Sequence, residues 1–176
     1  AAGAPSMARA IREHQQLTLD SVSTFADGIA VKHPGDITYK MCEQYVDEIV
    51  TVTDDEIATA ILAMIEQQKM VAEGAGAVSV AACMFHKLPV DGKKVVCLVS
   101  GGNIDVTILS RVISRGLLME GRLVNLTLAL ADKPGELNHV SDIIASTGAN
   151  IVLVRHSRSD IDMDINSCFL SLQMET

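Results

Sequence analysis

The chain has 176 residues, enough for one well-packed domain or two small ones. Its formal net charge of −8 argues against a nucleic-acid partner, because phosphate backbones are bound by basic surfaces. Hydrophobic residues make up 48% of the chain and aromatic residues only 3%, which excludes disorder and favours an aliphatic core of strands and helices. No apolar run approaches the roughly 20 residues of a membrane span, so no membrane partner is expected.

Four cysteines are spread along the chain without a CxxC pair and without histidines at zinc-ligand spacing. They are Cys42, Cys83, Cys97 and Cys168. Each lies among apolar neighbours, which is typical of buried, reduced thiols. We therefore expect a cytoplasmic protein, and the sequence offers no ligand set for a metal.

The first third of the chain is dominated by helical patterns. A helix is predicted from residue 5 to about 17, and a shorter one from 37 to 45 with Asp36 as its cap. Residues 48–52 then alternate like a strand. The sequence Thr-Asp-Asp-Glu at 53–56 is a capping box that opens the next helix. One face of that helix is apolar and carries Ala58, Ile61, Leu62 and Ile65.

The next stretch alternates helix and strand patterns. Residues 75–87 are rich in small side chains and predict a closely packed helix. The apolar run 95–99 predicts a fully buried strand, which stops at Ser-Gly-Gly-Asn just before a helix from 105 to 114 that Gly116 ends. This order predicts α/β layers with a parallel sheet. Such sheets bind ligands where a strand ends before a helix, so residues 100–103 are the first candidate site.

Beyond residue 121 the pattern changes to a β-α-β-β unit. Strands are predicted at residues 123–130, 150–156 and 167–174, with a polar loop between the last two. A helix from about 136 to 147 is closed by Gly148. The unit corresponds to most of a ferredoxin-like fold without its final helix and strand. We therefore expect a fragment whose small sheet packs against a neighbouring domain or against a partner chain, as in a homo-oligomer.

Four motifs in matching order and spacing resemble the threonine dehydratases, which are fold-type-II enzymes that use pyridoxal phosphate. They are Ala-Pro-Ser-Met at residues 4–7, Ala-Asp-Gly-Ile-Ala-Val at 26–31, Glu-Gly-Ala-Gly-Ala at 73–77 and Ser-Gly-Gly-Asn-Ile-Asp at 100–105. From residue 123 onward the chain resembles an ACT domain, whose signature is similar to Ala-Asp-Lys-Pro-Gly-Glu-Leu at 131–137. The resemblance implies three parts: the C-terminal portion of a catalytic domain (1–116), a linker (117–122) and a partial ACT regulatory domain (123–176).

The resemblance also implies a cofactor site. It places Ser100 against the pyridine nitrogen as a neutral partner, which favours elimination over transamination. Gly101 and Gly102 would let the backbone approach the ring, and Glu73 would lie near the cofactor. The implied reaction converts L-threonine to 2-oxobutanoate and ammonia, with L-serine as a second substrate. From the residues alone, Ser100 is interpreted as a helix cap and the glycines as a tight turn.

Two parts of the family's active site have no counterpart in this sequence. There is no lysine in the Ser-Phe-Lys-x-Arg-Gly context that binds the cofactor covalently, and no glycine-rich loop for its phosphate. The seven lysines lie in polar or turn contexts and are interpreted as solvated. We therefore assign no catalytic residue and expect the isolated chain to be inactive.

The ACT resemblance implies a second site, for a small amino acid such as isoleucine or valine. Its residues would be Asp132, Gly135, Glu136, Leu137 and Asn138, at a loop whose helix N-terminus favours a carboxylate. Alternatively, the Pro-Gly pair in this loop simply starts the helix. Two other functions stay open: a non-catalytic amino-acid-sensing fragment, and a serine dehydratase or racemase of the same fold.

The remaining polar residues are interpreted as structural. Asp27 either orients an active-site loop or serves as a turn residue. The acidic group Asp20, Asp54, Asp55 and Glu56 does not have metal-ligand spacing. The histidines stand without an Asp or Ser partner in the sequence: His14, His33, His86, His139 and His156.

Overall fold

The structure is a computed structural model that describes residues 1–158 and 164–176. It contains helices and one small antiparallel sheet, which confirms a mixed α/β class, whereas the predicted parallel sheet does not form among the described residues. The chain forms two compact units, Ala1–Gly116 and Leu117–Thr176. No helix in the described part of the chain is both long and apolar enough to cross a membrane.

The first unit contains the predicted helices. Their bounds are α1 Ser6–Glu13, α2 Asp36–Tyr45, α3 Asp54–Ala63, α4 Gly74–Met84 and α5 Val106–Met119. A 3₁₀ turn covers Asp27–Ile29, and α3 continues as a π-helical turn over Met64–Gln68. The predicted capping box is confirmed: Thr53 accepts from the Glu56 backbone and the Glu56 carboxylate accepts from the Thr53 backbone. It fixes the start of α3.

The core of this unit lies between α3 and α4. Ile57 and Ile61 are fully buried in it, and the small residues of α4 let the two helices approach closely. The predicted apolar face of α3 is confirmed, with Ala58 and Leu62 buried as well. Small side chains on α4 therefore set the spacing of the helices rather than marking a site.

The two strands predicted in this unit, at 48–52 and 95–99, do not form. The prediction of a buried strand was wrong: Val96 is 96% exposed and Leu98 77% exposed. A strand requires a backbone partner, and no described residue of this unit provides a ladder to either segment. The later segment instead lies along α4, where the Ser79 hydroxyl donates to the Leu98 carbonyl over 2.8 Å.

Three predicted helix ends are also corrected. α1 ends at Glu13 rather than at about residue 17. α5 does not end at Gly116 but continues to Met119. Gly116 is instead a packing position, since a Cβ there would lie 2.9 Å from Leu62 Cδ2. Part of the expected linker is therefore helical. Asp36 is the first residue of α2 rather than its cap, and its carboxylate accepts from Gln16 Nε2 over 3.0 Å.

The second unit has the predicted β-α-β-β order. Its elements are β1 Leu123–Ala131, α6 Glu136–Thr147, β2 Asn150–Ser157 and β3 Ser167–Glu175. Gly148 closes α6 with a φ of +83°, as the sequence predicts. The predicted polar loop runs from residue 157 to 166, and residues 159–163 of it lie outside the described residues.

The sheet of this unit has the order β1-β3-β2, with both pairs antiparallel. The side chains of β3 alternate, so that Leu170 and Leu172 are buried with Val140 and Ile144 of α6. Because facing residues on paired strands point to the same side of a sheet, this register decides which side chains meet near α6.

Candidate functional site

The segment that carries Ser100 passes close to the N-terminus of α4. The Glu73 backbone N–H donates to the Gly101 carbonyl over 3.0 Å. A Cβ on Gly76 would lie only 2.6 Å from that same carbonyl oxygen, and a Cβ on Gly102 would lie 3.0 Å from the Val71 carbonyl oxygen. The glycines of the 73–77 and 100–105 motifs therefore let the backbone around Glu73 contact the backbone that follows Ser100.

The Glu73 carboxylate joins three of the sequence motifs at this corner. A Cβ on Gly101 would lie 2.6 Å from Glu73 Oε1, and a Cβ on Gly28 would lie 3.7 Å from the same oxygen. Glu73 is the N-cap residue of α4, but its side chain makes no capping hydrogen bond. Its carboxylate instead lies beside the glycines of the 26–31 and 100–105 motifs.

Ser100 is exposed at this corner, and its hydroxyl has no hydrogen-bond partner among the described residues. The interpretation of Ser100 as a helix cap is wrong, because Asp105 caps α5. Asp105 Oδ1 accepts from the backbone of Thr107 over 2.7 Å and of Ile108 over 3.3 Å. The hydrogen bond from the Thr107 hydroxyl, followed by these backbone bonds, lowers the pKa of Asp105. The Ser100 hydroxyl is therefore free to bind a ligand.

Three acidic residues of the first unit have structural partners: Asp27, Asp55 and Glu56. Asp27 accepts from the Gly28 backbone over 2.8 Å, as a turn residue does. Asp55 pairs with Arg115, with Nε to Oδ1 at 2.6 Å. Glu56 pairs with Lys87 at 2.6 Å, so Lys87 is half-buried rather than solvated as predicted.

The cysteines are less buried than the sequence predicts. Only Cys168 is buried, while Cys42, Cys83 and Cys97 are partly exposed. The Sγ atoms of Cys83 and Cys97 are 3.5 Å apart, because the 95–99 segment lies along α4. All four are free thiols.

In the second unit a cavity of about 170 Å³ lies where β1 leads into α6. Asp132, Gly135, Glu136 and Leu137 line it, and Asn138 does not. Gly135 has a φ of +97°, a conformation that disfavours any side chain there. No acceptor for the backbone N–H groups of Leu137 and Asn138 is found among the described residues. These two donors suit a carboxylate at the start of α6.

Sequence reasoning missed one group in this unit. Donor atoms of Asp132, His156 and Cys168 lie within 4.8 Å of one another. The expectation that the histidines stand without an Asp partner is wrong for His86, whose Nδ1 lies 3.7 Å from Asp91 Oδ1. No local spacing signals the group, because its members follow or lie on three different strands and meet only through the sheet register.

Residues 1–101 match the family model of pyridoxal-phosphate dependent enzymes. The chain belongs to this family. It is 46% identical over 172 residues to an L-threonine ammonia-lyase of Thermotoga maritima, and the match covers 98% of this chain and 43% of that protein. The chain thus spans less than half the length of the curated relatives it matches.

Solved structures of other proteins are similar to this chain in fold. The chain matches the processed form of threonine deaminase isoform 2 from Solanum lycopersicum with a TM-score of 0.59 and 33% identity, over 66% of this chain and 32% of that one. It matches maize serine racemase with a TM-score of 0.55 and 30% identity, over 64% of this chain and 37% of that one. The predicted resemblance to fold-type-II enzymes is confirmed.

The corner at Ser100 fits one side of pyridoxal phosphate. An exposed, neutral hydroxyl without a protein partner suits the pyridine nitrogen, which needs a single hydrogen-bond partner. The glycines place that hydroxyl by packing their backbone against α4. Ser100, Gly101, Gly102 and Glu73 would form this side of the site.

Proposed function

We propose that the protein is a pyridoxal-phosphate-dependent threonine dehydratase that converts L-threonine to 2-oxobutanoate and ammonia. The observation that carries the proposal is the Ser100 corner, where an unpaired hydroxyl is held on glycine backbone beside the N-terminus of α4. Support for the substrate comes from the relatives named as L-threonine ammonia-lyases. Residues 1–116 would supply this part of the catalytic domain, and 117–122 the link to the regulatory part.

Each residue of the corner has a distinct task in this proposal. Pyridoxal phosphate, when bound, supplies the electron sink that eases loss of the α-proton of an amino acid. The Ser100 hydroxyl orients the pyridine ring with one hydrogen bond and, being neutral, does not hold a proton on its nitrogen. Glu73 fixes the position of Ser100, because its backbone N–H donates to the Gly101 carbonyl over 3.0 Å.

The proposal is tested with Ser100→Ala in the full-length protein. Loss of one hydrogen bond, worth about 1 kcal/mol, should weaken cofactor binding about fivefold and lower the rate of 2-oxobutanoate formation. Ser110→Ala, at an exposed serine of α5, is the matched control and should change neither value. Unchanged cofactor affinity and rate in Ser100→Ala would contradict the proposal.

Isolated residues 1–176 provide a second test. Because the sequence has no lysine in the family's Schiff-base context, we expect this chain alone to produce no 2-oxobutanoate from L-threonine. Turnover by the purified chain would overturn that expectation and require another base. The similarity to maize serine racemase favours L-serine as the second substrate to assay, with both deamination and racemisation as readouts.

We further propose that residues 123–176 are an ACT domain that binds a small amino acid. Support comes from the β1-β3-β2 sheet and from the cavity of about 170 Å³, which four of the five residues assigned from the sequence line. The backbone N–H groups of Leu137 and Asn138 would donate hydrogen bonds to the ligand carboxylate. Paired domains in a homo-oligomer would complete the site.

Calorimetry with isoleucine, valine and threonine tests the effector site. Gly135→Ala should weaken binding, because a Cβ at a φ of +97° distorts the loop that lines the cavity. Gly121→Ala is the matched control, since Gly121 has a φ of +72° in a turn that does not line the cavity. Equal effects of the two variants, or no binding by the unaltered chain, would contradict an effector site here.

A further inference from the structure

Three chemically different donors meet at the end of the small sheet. Cys168 on β3 pairs with Leu130 of β1, and His156 on β2 pairs with Leu170 of β3. Residues that face each other across a ladder lie on one side of the sheet, as do residues two apart on a strand. Asp132 follows Leu130 by two positions, so all three donors lie on the side that α6 covers.

The donor atoms are close enough for one ion to bind them together. The carboxylate oxygen, the imidazole nitrogen and the thiol sulfur lie within 4.8 Å of one another. Ligands of a tetrahedral zinc ion, at about 2.0–2.3 Å from the metal, lie roughly 3.3–3.8 Å apart. Side-chain rotations that move the donors by about 1 Å would close this difference.

Burial is graded across the group. Cys168 is only 3% exposed, whereas Asp132 and His156 are exposed at the rim of the cavity. An ion bound to all three would therefore have the sulfur beneath it and the cavity of about 170 Å³ in front of it. Three protein ligands with one open position form the pattern of a reactive or ligand-binding zinc site rather than a closed structural one.

The donor chemistry selects the class of metal. Sulfur and imidazole ligands favour zinc and its borderline neighbours, whereas calcium and magnesium take oxygen ligands. We propose that Asp132, His156 and Cys168 form a three-ligand site for zinc or a similar divalent transition metal, with a fourth position open to the cavity. On binding, the Cys168 thiol releases its proton to solvent and coordinates as the thiolate.

Nearby charges shape this site. Arg158 Nε lies 2.8 Å from Asp132 Oδ2 and 3.0 Å from Asp132 Oδ1. A carboxylate has two oxygens, so one oxygen of Asp132 can coordinate the metal while the other stays paired with the Arg158 guanidinium. Arg158 then holds the Asp132 carboxylate in position to coordinate the metal. Lys133 and Glu136 also line the cavity with opposite charges. The site thus adds a function to the proposed effector cavity without depending on amino-acid binding.

Cobalt(II) is the probe for the test, because thiolate coordination gives a near-ultraviolet charge-transfer band and tetrahedral geometry gives strong visible bands. The purified 176-residue chain, treated with chelator and a phosphine reductant, should bind one equivalent of cobalt with both signals. An excess of zinc should then displace it. Absence of these bands, or only millimolar binding, would overturn the proposal.

Variants identify the ligands. Cys168→Ser should abolish the charge-transfer band, and His156→Ala should weaken cobalt binding about 100-fold. Cys42→Ser and His139→Ala are matched controls and should bind as the unaltered chain does. Because Cys168 is buried, the Cys168→Ser result counts only if the circular dichroism of that variant is unchanged. If it is changed, the variant of the exposed His156 tests the site instead.

The Cys83–Cys97 pair is the competing thiol source, with its sulfurs 3.5 Å apart. In a Cys83→Ser/Cys97→Ser chain the cobalt signals should persist. Loss of the signals there, together with their retention in His156→Ala, would place the metal on the other pair and overturn the proposal. Amino-acid titrations in the presence of chelator separate this result from the proposed effector site, since they do not involve the metal.

Discussion

Similar apolar segments are buried in one compact unit and exposed in the other. In the second unit Leu170 lies in a strand paired on both sides and is 1% exposed. In the first unit Leu98 lies in a segment with the same predicted strand character and is 77% exposed. The difference shows that an apolar run becomes a buried strand only where another strand can pair with its backbone.

The units are also stabilised by different interactions. The second depends on two antiparallel ladders and one helix packed on their apolar side. The first depends on the packing of α3 against α4, with polar contacts at the start of α3: the capping box and the ion pairs of Asp55 and Glu56. Substitutions in the two units should therefore have effects of different size and different pH dependence.

The largest expected effect comes from the same truncation in both predicted strands. Leu170→Ala should lower the free energy of unfolding by about 2–5 kcal/mol, because it leaves a cavity in a small core. Leu98→Ala should change it by less than about 0.5 kcal/mol, because the side chain is already in solvent. Urea unfolding followed by circular dichroism measures both. Equal losses would mean that residues 95–99 are buried after all and would remove the contrast between the units.

A smaller effect is expected at the capping box. Thr53→Ala removes the acceptor for the Glu56 backbone N–H, which lies 3.2 Å from the Thr53 hydroxyl. The variant should lose about 1 kcal/mol of stability. Thr51→Ala, at an exposed threonine two residues earlier, should lose almost none. The same urea titration distinguishes them, and a Thr51 effect as large as that of Thr53 would assign the loss to the segment rather than to the cap.

A pH titration sharpens the contrast further. The hydrogen bond from Arg115, together with its charge, lowers the pKa of Asp55 below its ordinary 3.8. A carboxylate whose pKa is lower in the folded than in the unfolded chain stabilises the folded state at pH values above its unfolded pKa. This contribution disappears as the pH falls through the folded pKa. The stability difference between the unaltered chain and Arg115→Gln should thus be constant from neutral pH to about 5 and shrink below about 4. It should be small throughout, because the pair is exposed and screened by solvent.

Arg12→Gln, at an exposed arginine of α1, is the control for this titration and should show no such change between pH 7 and pH 3. A Leu170→Ala chain should keep the full Arg115 effect, because the ion pair lies in the other unit. If the Arg115 effect were independent of pH, the pair would act through packing alone.

The second unit was predictable because its signals are local. The turn before residue 136, the helix closed by Gly148 and the alternating strands each depend on nearby residues, and all three strands find partners within the unit. The Thr53–Glu56 capping box is local in the same sense. In the first unit, the strands predicted at 48–52 and 95–99 do not form, because strand pairing is a long-range property that neither alternation nor an apolar run reports.

The candidate sites also differ in whether their residues are signalled locally in the sequence or meet only in the fold. Ser100 was found because a run of small residues after an apolar segment is visible in the sequence, and the family resemblance supplied its role. The contacts of Glu73 with Gly28 and Gly101 bring together residues 45 and 28 positions apart, and no spacing encodes them. The group of Asp132, His156 and Cys168 exists only through the register of three strands, so it was missed.

The smallest expected effect tests how firmly the unpaired segment is held against α4. Burial, followed by the neighbouring Cys83, raises the pKa of the Cys97 thiol above its ordinary 9.0. Alkylation of Cys97 by iodoacetamide, followed by mass spectrometry of its peptide, should therefore have a midpoint above pH 9.0. Cys83→Ser should move the midpoint toward that value, and Cys42→Ser should leave it unchanged. An ordinary midpoint in the unaltered chain would mean that residues 95–99 leave α4 readily and that the contact with Cys83 does not hold this segment.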